Sequence, residues 1–323
     1  MPVKENKYDK KYLIGLLLCL ISVLSWGGMF PIMEPALKIM DPFYFTLFRY
    51  GSVAIIFAII LFFTEGIKSF STEGHTLKLW IFGTSAFAGF SFLVFLGQQL
   101  AGNSGSIIAS VMMAIQPLLG VLVGWIYRGV KPTIASLISM IVAAIGVFMV
   151  VTKGDISVLV TGHNTVFAVA LILLGALCWV VYTAGGAEFS NWSILRYSTL
   201  TAILGVCSVV VVLTIATLFG WLHFPSVSQI IGVHNALIYM VTLAGVVAVF
   251  TWNLGNRIIT PINGILFMNL VPITSFVIKI FNGYQVSLFE VTGCIITILA
   301  LIGNNLYNRY KIKQKNIIEP VTD

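Results

Sequence analysis

The chain has 323 residues, 59% of them hydrophobic and 9% charged, with a mean hydropathy of +1.01. Soluble domains carry about a quarter charged residues, so this chain cannot cover itself with a water-facing surface and must turn most of its exterior to lipid. Its net charge of +7 does not indicate nucleic-acid binding, because the basic residues stand at segment ends and in the tails rather than along one helix face.

In chain order, ten apolar runs are long enough to cross a hydrocarbon core about 30 Å thick. They lie at 12–32, 43–63, 77–98, 104–126, 133–152, 165–187, 194–219, 235–256, 262–281 and 286–308. The first follows Lys4, Lys7, Lys10 and Lys11 and imitates a signal peptide. It has no small-x-small cleavage site and is expected to be retained as a span. Asp41-Pro42, Lys131-Pro132 and Thr260-Pro261 mark helix starts through cap and first-turn proline chemistry.

Basic residues test this count. With ten spans, 14 of the 18 lysines and arginines fall on the side of the two termini. Only Lys38, Arg49, Lys153 and Lys279 fall on the other, so both termini are expected in the cytoplasm. An odd number of spans would scramble that division.

Landmarks recur between the halves. Trp26 answers Trp179, Arg49 answers Arg196, Gln116-Pro117 answers Val271-Pro272, and Gly97 answers Gly255, at offsets of 153, 147, 155 and 158 residues. Four matches in one order point to a duplicated five-helix unit. Because five is odd, the second unit enters the membrane from the opposite side, a design recurrent in alternating-access carriers. The expected fold is therefore all-α and integral to the membrane, with ten transmembrane helices in two inverted five-helix repeats. A cytoplasmic tail covers 1–11, the repeats cover 12–152 and 165–308, an extracytoplasmic linker covers 153–164 and a second cytoplasmic tail covers 309–323.

These residues resemble the drug/metabolite transporter superfamily, in its EamA-type ten-helix branch. In the first half the likeness rests on Ser25 to Pro31, on Asp41-Pro42-Phe43 with Arg49, and on Gln116-Pro117-Leu118. In the second it rests on Trp192-Ser193 with Leu195-Arg196, on Leu254 to Pro261, and on Asn269-Leu270-Val271-Pro272. The resemblance implies a secondary carrier with a central cavity lined by helices 1, 3, 4, 6, 8 and 9. It also implies small metabolites as substrates, amino acids and their derivatives prominent among them. The protein is then a multi-pass cell-membrane protein, in the inner membrane if the cell is Gram-negative.

Polar and aromatic side chains at membrane depth supply the candidate substrate-binding residues: Trp26, Gln116, Trp179, Tyr182, Trp252 and Asn269. Gln116 lies beside Pro117, which leaves the carbonyl of Met113 without its helical donor; Asn269 lies near Pro272, which does the same for Met268. A substrate's ammonium or hydroxyl would satisfy such groups, and helix–helix adhesion would satisfy them equally. Trp26 and Trp179, expected on opposite sides of the midplane, suit cavity walls or gates that stack on a cation; the alternative is an interfacial belt. Tyr182 shares the face of Trp179 one turn on. Trp252, Asn253 and Asn256 end helix 8 as Gln98 and Gln99 end helix 3, where hydration at the interface is the alternative. Arg49 and Arg196 open helices 2 and 7, where snorkelling to headgroups accounts for them.

Glu34 is the candidate coupling residue. Pro31 is expected to bend or end helix 1 near its outer mouth, and a carboxyl just beyond would change proton affinity between open and closed states. The alternative is a solvated carboxylate beside Lys38 and Arg49.

No HExxH, GxSxG or phosphate-binding loop occurs, and the four histidines lie in expected loops. Cys19, Cys178, Cys207 and Cys294 sit within apolar runs without metal-ligand or disulfide spacing. Neither catalytic nor metal-ligating residues nor a cofactor are expected. The partners expected are a small-molecule substrate, membrane lipids and a coupling proton. The competing functions are an integral-membrane transferase acting on lipid-linked substrates and a membrane sensor or partner subunit. The first wants basic loops that are missing after helices 3 and 7, and the second wants a soluble domain.

Overall fold

A computed structural model describes residues 7–129, 131–155, 163–259 and 264–318. Regular structure among them is entirely helical. The principal helices are α1 (Lys7–Ala36), α2 (Pro42–Glu65), α3 (Thr76–Leu100), α4 (Gly105–Ala114), α5 (Gln116–Arg128) and α6 (Ile134–Thr152). They continue with α7 (His163–Gly186), α8 (Ile194–Leu218), α9 (His234–Ile259), α10 (Leu270–Phe281) and α11 (Leu288–Ile318). Among the described residues seven helices are long and apolar enough to cross a membrane, or eight if the bent pair α4–α5 is one span. The runs expected at 262–281 and 286–308 form shorter apolar helices, Phe267–Phe281 and Leu288–Asn304. The helix start at Thr260-Pro261 and most of the linker lie outside the described residues.

Local chemistry sets several of these boundaries. Asp41 accepts from the amides of Phe43 and Tyr44 at 2.9 Å and Pro42 occupies the first turn, so α2 begins where its orphan N–H groups find a carboxylate. Ser193 caps α8 and Thr133 caps α6 in the same way. Ser287 and Glu290 form a reciprocal cap at the start of α11.

Packing crosses between the two halves of the chain in a reciprocal way. Helix α1 lies along α9 and α10, while α7 lies along α3 and the α4–α5 pair; α2 packs on α8, and α6 on α11. Glycines make the approaches close. A Cβ on Gly255 would meet Cys19 Sγ of α1 at 2.6 Å, and one on Gly97 would meet Ile172 Cγ1 of α7 at 2.6 Å. In the α6–α11 crossing a Cβ on Gly146 would stand 2.5 Å from the carbonyl of Gly293. With lipid tails as apolar as leucine, such backbone approach supplies the dispersion and weak C–H···O contacts that hold membrane helices together. Large apolar side chains on the outside, such as Ile55, Ile59 and Phe63 along α2, remain exposed, as lipid contact requires.

Several expectations are corrected. α1 neither ends nor breaks at Pro31; it runs through Pro31 and Pro35 to Ala36. Neighbouring helices hold that segment, with Thr274 against Gly27, Tyr239 against Gly28, and Gln98 and Ser106 both donating to the Phe30 carbonyl. The run at 104–126 is instead broken at Ile115 and bent by 47°, because Pro117 has no N–H for the Met113 carbonyl. The run at 262–281 winds as a 3₁₀ turn over Ile265–Asn269 before α10 begins. α11 continues beyond 308 to Ile318. His163 and His234 open helices rather than lying in loops.

Helices α3 and α9 each contain a π-helical segment, Thr84–Phe90 and Thr242–Val247, whose starts are separated by the same 158 residues as Gly97 and Gly255. Such wide turns free or redirect backbone groups and recur at functional sites. Each sends a group to the centre of the bundle, the Phe90 ring from one and the Ala244 carbonyl from the other.

Candidate functional site

At that centre the tryptophans of α1 and α7 meet. The rings of Trp26 and Trp179 are 5.7 Å apart, edge to face, and Trp26 also meets Trp252 of α9 at 5.3 Å. Trp179 extends the cluster to Phe90 and Tyr182, and Tyr182 stacks on Tyr197 of α8. All these residues are buried. The interfacial reading of Trp26 and Trp179 is thereby overturned. Interior positions with quadrupole-matched partners leave no ring at the lipid headgroups. Trp26 Nε1 donates to the carbonyl of Ala244 at 3.1 Å, inside the π segment of α9.

A narrow cavity of about 20 Å³, room for about one water, lies beside this cluster. Trp26, Met29 and Phe30 of α1, Trp179 of α7 and Phe90 of α3 form its aromatic and apolar wall. Met113 and Gln116 line it at the α4–α5 break, and Met268 and Val271 at the start of α10. The fracture points made by Pro117 and Pro272 thus border one space. Gln116 is buried and donates a weak hydrogen bond to Met113 Sδ at 3.3 Å. Asn269 is buried between the lining residues Met268 and Val271. Trp252 stands behind Trp26 rather than on the cavity wall, and Tyr182 lies beyond Trp179 among Ser198, Thr201 and Asn253.

Two lining residues come from a helix not expected at the cavity: Arg49 and Tyr50 of α2. Arg49 does not snorkel. It is 1% exposed, with its guanidinium 4.5 Å from the centre of the Tyr50 ring and 5.6 Å from that of Phe95. Helix 2 therefore contributes to the cavity. The helical run suggested only a position near the helix start; which face of α2 turns inward depends on its packing against α8, α3 and α9.

Ion-pair clusters close both ends of the bundle. At the α1 C-terminus, Glu34 accepts from Lys279 of α10 at 2.6 Å and from Ser106 of α4 at 2.5 Å. The solvated carboxylate beside Lys38 and Arg49 is overturned, since the side chains of Glu34 and Lys279 are only 15% and 9% exposed. Lys279 also lies over the Tyr284 ring, and the Tyr284 hydroxyl donates to Glu290 while accepting from Lys153. At the opposite end Arg196 donates to Glu73 at 2.7 Å and lies 3.8 Å over the Trp192 ring, while Glu188 joins Lys78 and Tyr127. Arg196 is thus held by a carboxylate and an indole rather than by headgroups. Outside the membrane-spanning helices, the hydrogen bond from Arg196 holds the Glu73 carboxyl below its ordinary range, with the Trp192 indole adding to it.

The glutamines ending α3 act structurally. Gln98 donates to the Phe30 carbonyl at 2.7 Å and Gln99 to the Leu37 carbonyl at 2.7 Å, fastening α3 to the end of α1. Gln98 is 1% exposed, so hydration at an interface does not account for it. Among the described residues no group of three metal-ligating side chains occurs.

The sequence profile of the EamA-like transporter family matches residues 13–152. The uncharacterized transporter YrdR of Bacillus subtilis is 43% identical over 296 residues, covering 92% of each chain. The uncharacterized transporter YyaM of the same organism is 27% identical over 300 residues, covering 90% of this chain and 94% of its own. A protein of known crystal structure aligns over 94% of this chain and 98% of its own, with a TM-score of 0.62 and 18% identity, a likeness of fold alone.

Proposed function

The chain belongs to the EamA-like transporter family, and from that premise we propose that it is a secondary carrier moving small polar metabolites, amino acids or their derivatives foremost, by alternating access. It is a multi-pass cell-membrane protein. The observation that carries the proposal is the buried aromatic cavity where α1, α7 and the two proline breaks converge, with ion-pair clusters beyond it at both ends. A carrier needs a central site and two barriers that open in turn, and this arrangement supplies a candidate for each.

In this reading the chain comprises ten spans in two inverted five-helix repeats, residues 12–152 and 165–308, with both termini cytoplasmic. Support comes from the reciprocal helix pairing, the matched π segments and the matched glycine approaches. Trp26, Trp179 and Gln116 are the foremost substrate contacts, Asn269 borders them, and Tyr182 and Trp252 brace the tryptophans. Two halves that meet through such a central cluster can rock about it while the ends separate.

Proton coupling in this reading acts through Glu34. Protonation of its carboxyl would cancel the attraction to Lys279 and leave Ser106 a weaker acceptor, so a proton taken at that mouth favours its opening. Tyr284 faces the same lysine and would take up part of its charge. Uptake of a labelled amino-acid panel into proteoliposomes tests the carrier reading. Accumulation or exchange of at least one member is expected, and no flux of any member with correctly folded protein would sink it.

A further inference from the structure

Among the described residues Arg49 is the one charged side chain on the cavity wall, and no acidic residue lines the cavity with it. Its side chain is buried, and its Nε and Nη1 have no hydrogen-bond partner. Aromatic faces are what it has: Tyr50 at 4.5 Å and Phe95 at 5.6 Å. Cation–π contacts soften the desolvation of a guanidinium, but they accept none of its N–H bonds in the plane of the fork. A buried charge left in that condition is costly, so an arginine here calls for an anion that the described lining residues do not supply.

Resting on the carrier reading above, we propose that Arg49 is the carboxylate-binding residue of the central cavity, and that the transported class is small molecules bearing a single carboxylate. A carboxylate matches the planar guanidinium fork and accepts two parallel N–H bonds. One negative charge also neutralises the cavity, whereas a phosphate dianion would leave an uncompensated charge among Trp26, Phe90 and Met113. The apolar wall suits a short aliphatic or aromatic remainder. An α-ammonium, where the substrate has one, finds the faces of Trp26 and Trp179 and the side-chain carbonyl of Gln116.

The test compares acids with their own amides. Purified protein in detergent is titrated with L-phenylalanine, L-leucine, 3-phenylpropionate and isovalerate, and with the carboxamide of each, while binding is read by thermal shift and by displacement of the tightest labelled member. The acids are expected to bind about tenfold or more tightly than the amides. Arg49→Gln should erase that preference, weakening the acids and leaving the amides unchanged, and Arg49→Lys should restore part of it. Equal binding of acids and amides, no binding of any acid by the wild type, or unchanged acid affinity in Arg49→Gln overturns the proposal. Displacement by inorganic phosphate or chloride with the potency of the acids overturns it in favour of an inorganic-anion site. The acid–amide comparison on the wild type stands even if Arg49→Gln fails to fold. The carrier reading fails separately, through binding without flux in proteoliposomes; flux of the acids unaltered by Arg49→Gln defeats the anion site and spares the carrier.

Discussion

Trp26 and Trp179, one from each half of the chain, meet edge to face at 5.7 Å in the middle of the bundle. Their meeting explains why so much else converges there. Trp26 is tied to the Ala244 carbonyl in the wide turn of α9, and Trp179 touches Phe90 in the wide turn of α3. A shift of α1 against α7 must therefore move both π segments and the cavity between them. Rocking of the two halves and reshaping of the site become one motion.

Gln116 should matter to transport more than to folding. Its weak bond to a thioether is all that Gln116→Leu is seen to remove. Detergent stability should change by less than about 1 kcal/mol, since discarding a poorly satisfied polar group is cheap. Uptake per folded molecule should drop about tenfold or more. Loss of stability with normal residual transport would make Gln116 an adhesive residue.

Removing either partner of the Glu34–Lys279 pair strands a shielded charge. Glu34→Gln and Lys279→Met should each destabilise by about 3–5 kcal/mol less whatever solvation the mouth allows. Glu34→Gln should also abolish accumulation driven by a pH gradient while substrate exchange persists. The swap Glu34→Lys with Lys279→Glu should recover stability better than either reversal alone. A Glu34→Gln protein that still accumulates substrate with unchanged pH dependence removes the carboxyl from coupling.

At the opposite mouth Glu73 is held below its ordinary value of 4.5, first by the hydrogen bond from Arg196. A carboxyl with a depressed folded-state pKa stabilises above its unfolded value and loses that contribution as pH falls through the folded one. Thermal stability should decline as the pH falls from the ordinary value of 4.5 through the lowered folded-state one, and Glu73→Gln should flatten part of that slope. The share is small because the carboxylate is exposed. Identical slopes in both proteins would mean that the pair carries no linkage.

The α6–α11 crossing has no room for a side chain. Gly146→Val and Gly293→Val should each cost about 1–3 kcal/mol or more, measured by thermal inactivation, because a packed interface resists added atoms. Gly124→Ala, with open space around it, should be neutral or stabilise by about 0.5–1 kcal/mol. A tolerant Gly293 would argue against the close crossing.

Topology is tested independently by reporter fusions. Fusions after Lys315 and within 68–75 should report the cytoplasm, and fusions within 153–163 the outside. A C-terminal reporter on the far side would overturn the ten-span count.

What the sequence determined by itself was local or periodic. Apolar runs placed the helices because lipid forces each backbone to satisfy its own hydrogen bonds, and Asp41-Pro42 placed the start of α2 because a cap acts within one turn. Pro117 marked the Met113 carbonyl that loses its helical donor for the same reason, its missing N–H being felt one turn back, but not the 47° bend that follows. Tertiary structure decided the rest. Glu34 finds Lys279 across 245 residues, Gln98 reaches back 68 to the Phe30 carbonyl, and Pro31 is carried through an unbroken α1 by its neighbours. Arg49 is the clearest case. On an apolar helix the same arginine can reach headgroups or point inward, and no local signal separates the two. Only the packing of α2 against its neighbours turned the charge toward the cavity.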